Sequence, residues 1–253
     1  MKDIPLLLIH GYPFDHTLWF ATIASLGSKA KVIVPDLPGF GKEPPLREAK
    51  PSMEAYADFL ARALDDQKTE KVAVAGMSMG GYVALAFAEK FPQRTACLGL
   101  ISTQAAPDSP DAKQARVEII EKIRAKGPGI AAETILPKMF SDARPANPDL
   151  QNYPTEGAQK AGADGLSWAL RAMAARPDRT EFLHSFNHPV LVVHGSEDKI
   201  IPFTKARAMA ENCLKPIFIE VPGAGHATPL ENPDAVANGL VRLLAACAES
   251  ANQ

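Results

Sequence analysis

Six short apolar runs punctuate the chain: "IPLLLI" (4–9), "KVIVPD" (31–36), "KVAVAG" (71–76), "CLGLIS" (97–102), "PVLVVHG" (189–195) and "PIFIEVPG" (216–223). Most are continuous rather than alternating. A strand with one wet face alternates apolar and polar residues. A strand that is apolar at nearly every position must be covered on both faces, as in a parallel sheet layered between helices. Helical patterns fill the intervals, at 16–27, 52–66, 79–91, 204–213 and 232–248. The last opens on Asn232, Pro233 and Asp234, which supply a cap, a first-turn proline and a first-turn acid. Pro92 ends the third, because proline cannot continue a helix comfortably. Strand and helix in alternation predict an α/β sheet with right-handed crossovers.

One stretch breaks the alternation. From about Thr103 to Asn187 no good strand occurs, and helical patterns take over in "DAKQARVEIIEKIRAKG", "PGIAAETILPKMF" and "ADGLSWALRAMAARPD". The expected organisation is therefore a core of residues 1–102 and 188–253, with a helical cap of residues 103–187 inserted between the fourth and fifth strands. "KEPPLREAKPSM" (42–53) is a proline-rich surface loop within the core.

Between the third run and the third helix stands "GMSMGG" (76–81). Gly76-Met77-Ser78-Met79-Gly80 fits G-x-S-x-G in a strand–turn–helix setting. In that setting a sharp, strained turn holds a serine hydroxyl out at the sheet edge, and small neighbours let strand and helix pass closely. The plain alternative is a tight turn that merely favours Ser and Gly. A serine at its ordinary pKa is a poor nucleophile, so it needs a base, and the base needs an orienting acid. In open α/β sheets the place to look is just past the C-terminal strand ends. After "PVLVVHG" comes "SEDKIIP", with Glu197 and Asp198; after "PIFIEVPG" comes "AGHATPLENP", with His226. Asp198 is the preferred acid because it lies deeper in its loop. The order Ser, Asp, His is that of one known hydrolase fold.

Composition narrows the partners. The 253 residues carry 27 Lys+Arg against 29 Asp+Glu with no long basic stripe, which argues against nucleic acid and anionic membranes as partners. The apolar run in "MKDIPLLLIHGY" is too short for a signal-peptide core, and no stretch approaches the roughly 20 residues of a membrane helix. Three scattered cysteines without a CxxC spacing read as free thiols in a reducing compartment, so a cytoplasmic location is expected. His16, His184 and His188 have no partners at ligand spacing, so no metal site is expected, and a serine nucleophile with its base and acid needs no cofactor.

"HGYPFDHTLW" (10–19), "DLPGFGKE" (36–43), "GMSMGG" (76–81), "GSEDKIIP" (195–202) and "GAGHATPLENP" (223–233) together resemble the blocks of the α/β-hydrolase family, in order and over essentially the whole chain. The chain looks most like small bacterial esterases, 3-oxoadipate enol-lactonases and cofactor-free haloperoxidases or perhydrolases. The resemblance implies Ser78 as nucleophile, His226 as base and Asp198 as its partner. It implies an oxyanion hole at the backbone N–H groups of Tyr12 and Met79, and structural roles for His10 and His194 at strand ends. It departs from the family pattern in reaching His10-Gly11 almost at once, without the usual preceding β-hairpin. The expected sheet therefore has about six strands and lacks that antiparallel edge.

The expected activity is hydrolysis of a small to medium, largely apolar carboxylic ester. Lactonase and perhydrolase chemistry are the alternatives on the same fold, and a non-catalytic ligand receptor is the alternative from another class. Leu136, Phe140, Leu166 and Trp168 are the candidate pocket walls, with Met139, Leu170 and Met173 beside them; packing of the cap onto the core is the competing reading. Arg116, Arg124, Arg144 and Arg171 lie in the inserted stretch, and sequence alone does not aim them. The sequence leaves room for a homodimer.

Overall fold

The computed structural model describes residues 4–46, 50–142 and 148–250. Six strands, β1 (Leu6–Ile9), β2 (Val32–Ile33), β3 (Val72–Met77), β4 (Thr95–Ile101), β5 (Val190–Gly195) and β6 (Pro216–Val221), form one sheet in the order β2-β1-β3-β4-β5-β6. Every neighbouring pair is parallel. Strands β1, β3, β4 and β5 are buried at every position, as continuous apolar runs require. The edges are weaker. β2 keeps only Leu6↔Val32 and Leu7↔Ile33, and Pro35 just beyond it has no N–H to extend the ladder. β6 is largely half-exposed.

Alternate residues of each strand feed opposite faces. Leu7, Ile9, Val72, Val74, Leu98, Leu100, Val190 and Val192 enter one core with helices α2 (Met53–Asp66) and α3 (Met79–Lys90). Leu6, Leu8, Ala73, Ala75, Cys97, Leu191 and Val193 enter the other, where α1 (Phe20–Leu26) packs on α10 (Pro233–Ser250). The helix starts follow the sequence signals. Ser52 Oγ accepts from Ala55 N at 3.1 Å to cap α2, and Asn232 Oδ1 accepts from Ala235 N at 3.1 Å to cap α10.

Among the described residues four helices lie between β4 and β5: α4 (Pro110–Lys126), α5 (Gly129–Met139), α6 (Pro148–Ala175) and α7 (Thr180–Ser185). The helical pattern at 163–178 foretells only the second half of α6. The helix begins much earlier and is interrupted at Gly162, whose φ of 64° and ψ of 178° are not helical. Its first half carries Pro154 and Gly157, poor helix formers whose placement follows from packing. A Cβ on Gly157 would sit 2.1 Å from Pro13 O, and one on Gly165 would sit 2.1 Å from Gly39 O. These glycines let α6 touch the loops that follow β1 and β2. After β5 come α8 (Phe203–Glu211), β6 and the short α9 (Thr228–Glu231). Among the described residues no helix is long and apolar enough to cross a membrane.

Connections leave the sheet in opposite directions on either side of the β1–β3 pair, since β2 lies beyond β1 and β4 beyond β3. That switch point opens a crevice at the C-terminal strand ends, where open α/β sheets bind their ligands. The loop after β1 and the turn after β3 both end there.

Candidate active site

β3 runs into α3 through Ser78, whose φ of 51° and ψ of −114° lie in the region that favours glycine. The neighbours that permit this turn are themselves forced. A Cβ on Gly76 would come within 2.1 Å of Gly80 O, and a Cβ on Gly80 within 2.2 Å of Ile9 O. The turn is pinned by Ser78 N donating to Ile101 O at 2.9 Å and by Thr103 Oγ1 donating to Ser78 O at 2.8 Å. The serine side chain is left partly exposed in an otherwise buried stretch.

Three loops converge on it. Ser78 Oγ lies 2.9 Å from His226 Nε2, and His226 Nδ1 lies 2.8 Å from Asp198 Oδ2. The structure thus brings together the serine, histidine and aspartate singled out from sequence, across 148 and 28 residues of chain. The carboxylate paired with His226 is Asp198; among the described residues Glu197 has only its main chain engaged, with N donating to Ala224 O at 2.9 Å. Asp198 Oδ1 accepts from Ile200 N at 2.8 Å and Ile201 N at 2.9 Å, which leaves Oδ2 for the imidazole. Burial pushes the Asp198 pKa up, but the adjacent His226, His194 and the Ile201 N–H outweigh it and hold the carboxyl below its ordinary value.

His194, on β5, is fully buried, with Nε2 donating to Ile201 O at 2.8 Å and standing 3.2 Å from Asp198 Oδ2. Its Nδ1 is buried without a partner among the described residues, and burial pushes the His194 pKa down. His10 is also fully buried. Leu37 N donates to His10 Nε2 at 2.9 Å, so Nδ1 carries the proton and donates to Gly11 O at 3.0 Å. Both strand-end imidazoles are thereby tied to main chain.

Gly11 brings the loop after β1 against the serine: a Cβ there would lie 3.3 Å from Ser78 Cβ. Tyr12 follows at once, and Met79 is the first residue of α3, where an amide has no intrahelical acceptor. The Tyr12 ring packs edge-on to Phe40, and its hydroxyl is buried without a partner among the described residues. Burial pushes that phenol's pKa up, opposed by the charge of Arg116.

The candidate wall residues divide. Leu166 is fully buried, Trp168 nearly so, and both join the core with Tyr56, while Leu136 and Phe140 are half-buried. Trp168 tilts onto Tyr56 with ring centroids 4.5 Å apart and borders a cavity of about 560 Å³ with Leu46, Ile120, Ile123, Arg124 and Arg171. Arg116 is held by Asp108, with Nε to Oδ2 at 2.5 Å. Arg144 lies outside the described residues.

Sequence spacing missed one grouping. Asp15, His16 and Asp36 bring ligand-type atoms within 4.8 Å of one another, although 20 residues separate His16 from Asp36. The fold already engages them: Asp15 Oδ2 meets Lys160 Nζ at 2.9 Å, and Asp36 Oδ1 meets His16 Nδ1 at 2.7 Å. Asp36 Oδ2 also accepts from Lys42 N at 3.2 Å, fixing the turn expected of "DLPGFG", where Gly39 and Gly41 have φ of 88° and 54°. The polar support behind His226, made by Ser102, Thr228 and Glu231, also went unread in the sequence. A serine at the end of β4, like the one at the end of β3, was the available signal.

A family description, the alpha/beta hydrolase family, matches residues 6–238. The chain belongs to that family. It is 38% identical to a thermophilic esterase from Thermogutta terrifontis solved with malate bound, with a TM-score of 0.91 over 96% of this chain and 90% of that one. It is 27% identical to a pimeloyl-[acyl-carrier protein] methyl ester esterase of Aromatoleum aromaticum, over 92% of this chain and 95% of the esterase. It is also 27% identical, over 95% of its length, to the dihydrolipoyllysine-residue acetyltransferase component of an acetoin cleaving system in Pseudomonas putida. The chain spans 63% of that relative, and 59% of its counterpart in Cupriavidus necator.

Proposed function

We propose that this hydrolase cleaves carboxylic esters through an acyl-enzyme on Ser78. The observation that carries the reading is the unbroken relay from Ser78 Oγ to His226 Nε2 at 2.9 Å and from His226 Nδ1 to Asp198 Oδ2 at 2.8 Å. Asp198 fixes the tautomer with the proton on Nδ1, so Nε2 is free to take the Ser78 proton as Oγ attacks the ester carbonyl. The Tyr12 and Met79 N–H groups receive the negative charge on the former carbonyl oxygen, each such donor being worth roughly 2.7–4 kcal/mol in the transition state. His226 then hands the proton to the departing alkoxide. Water repeats the cycle on the acyl group and restores the serine. Asp198 stabilises the imidazolium in both halves, a role suited to a carboxyl that stays ionised.

In this reading residues 103–187 act as a cap over the core of residues 1–102 and 188–253, and the half-buried Leu136 and Phe140 give the substrate apolar walls. A small to medium, largely apolar ester fits these walls, and the esterase relatives support ester chemistry. No cofactor takes part.

The test is hydrolysis of p-nitrophenyl esters from acetate to octanoate by wild type and Ser78→Ala in parallel. The expected result is a loss of about 10⁴- to 10⁶-fold in kcat for the variant. Equal, slow rates for both proteins would discard the reading in favour of a ligand receptor on this scaffold.

A further inference from the structure

Gly225, the residue that precedes His226, has both its main-chain polar groups held by side chains outside the relay. Gly225 O accepts from Thr228 Oγ1 at 3.1 Å. Gly225 N donates to Glu231 Oε1 at 2.8 Å. The other oxygen of the same carboxylate, Oε2, accepts from Ser141 N at 3.1 Å, just past the end of α5. On the far side of the histidine, Ala227 N donates to Met139 O at 3.0 Å. Residues 225 and 227 are thus both tied to residues 139–141, one directly and one through Glu231.

The contact leaves no slack. A Cβ on Gly225 would fall 2.6 Å from Ser141 N and 2.7 Å from Phe140 C. Glu231 is only 2% exposed, an uncommon place for a carboxylate unless its oxygens are fully employed. Spanning two N–H groups from different loops is such employment. Phe140, the residue between the two tie points, is a candidate wall of the substrate site.

We propose that Glu231 is a positioning residue for the His226 imidazole: its carboxylate clamps the base-bearing loop to the segment 139–141, so that seating of the inserted helices and alignment of the base are one event. The inference rests on the reading of Ser78 and His226 given above. Glutamine at 231 can accept one N–H but turns a donor toward the other, so the clamp opens on one side. Alanine at 225 drives the two segments apart and also crowds the carboxylate, since its Cβ would fall 3.0 Å from Glu231 Oε1.

The experiment compares wild type, Glu231→Gln, Gly225→Ala and Ser78→Ala with p-nitrophenyl butyrate, alongside the downfield proton resonance of the His226 Nδ1–H in each. Misplacement of a reacting group by about 1 Å can cost on the order of 100-fold, so a kcat loss of about 10- to 100-fold with KM nearly unchanged is expected for both clamp variants. The resonance should shift or broaden in both. Unchanged kcat and resonance, or a loss confined to thermal stability, overturns the clamp. If wild type and Ser78→Ala turn over equally, the ester-hydrolase reading fails, and the resonance still decides whether Glu231 orients His226. Should Glu231→Gln not fold, Gly225→Ala carries the same test.

Discussion

Two serines stand at the C-terminal ends of neighbouring strands, and both have positive φ. Ser78 follows β3 with φ of 51°, and Ser102 follows β4 with φ of 46°. Each donates its N–H to the next strand over, Ser78 to Ile101 O and Ser102 to Val193 O, both at 2.9 Å. Their side chains meet different fates. Ser78 is partly open and faces His226 Nε2. Ser102 is fully buried and sits 2.7 Å from Thr228 Oγ1, which in turn donates to Gly225 O. Positive φ at a strand end therefore does not by itself set a serine apart. A neighbouring imidazole and access to the crevice do, and in the proposed reading the second serine supports the loop that carries the base.

The sharpest way to break this comparison is to remove each hydroxyl. Ser78→Ala should cost about 10⁴- to 10⁶-fold in kcat. Ser102→Ala removes a neutral hydrogen bond worth about 0.5–1.5 kcal/mol from a support. If all of that reached the transition state it would amount to about tenfold or less. Matched kcat values on p-nitrophenyl esters measure both. A Ser102→Ala loss approaching that of Ser78→Ala would mean the two strand ends are not divided into reagent and support.

The strand-end imidazoles extend the contrast to pH. His10 and His194 are both tied to main chain, and burial lowers both pKa values from an ordinary 6.5. Below pH 6.5 the unfolded chain takes up protons that these folded imidazoles resist, so the unfolded state gains. Their contribution is complete above pH 6.5 and is lost as pH falls toward their folded pKa values. Asp198 adds a loss at lower pH, since its contribution holds above its ordinary 3.8 and fades as pH drops through its depressed value. Tm measured from pH 8 down to 4 should fall beginning near pH 6.5. A flat profile across that range would show that the buried imidazoles are not the props described here.

How much of this was legible in the sequence follows from what kind of signal each part leaves. The six strands and the core helices obey periodicity, and the edges were least well bounded because β2 keeps only two paired residues. Ser78, Asp198 and His226 sit beside glycines and at strand ends, so both spacing and topology point to them. The first half of α6 left no such trace: Pro154 and Gly157 read against a helix, and contact with Pro13 overrides their propensity. Glu231 was silent for another reason. Its partners are the main-chain N–H groups of Gly225 and Ser141, which any residue supplies. Asp15, His16 and Asp36 meet only once the loops after β1 and β2 are folded side by side.

The smallest expected effect separates strain from hydrogen bonding at the paired serines. A non-glycine residue at positive φ of this kind carries about 1–3 kcal/mol of strain. Glycine relieves it, less about 0.5–1 kcal/mol for the added freedom of the unfolded chain. At Ser78 the bond lost is the one to His226 Nε2, made by a hydroxyl that is partly open to water, so the relief is only partly offset and Ser78→Gly should raise unfolding free energy by up to about 1 kcal/mol. At Ser102 the same relief is offset by loss of the buried bond to Thr228, so Ser102→Gly should change stability by less than about 0.5 kcal/mol. Ser102→Ala keeps the strain and loses the bond, and should fall by about 1 kcal/mol. Urea unfolding of the three variants resolves differences of this size. If Ser78→Gly is destabilised instead, the energy stored at the Ser78 turn is smaller than its backbone angles imply, and the two strand ends differ in strain as well as in surroundings.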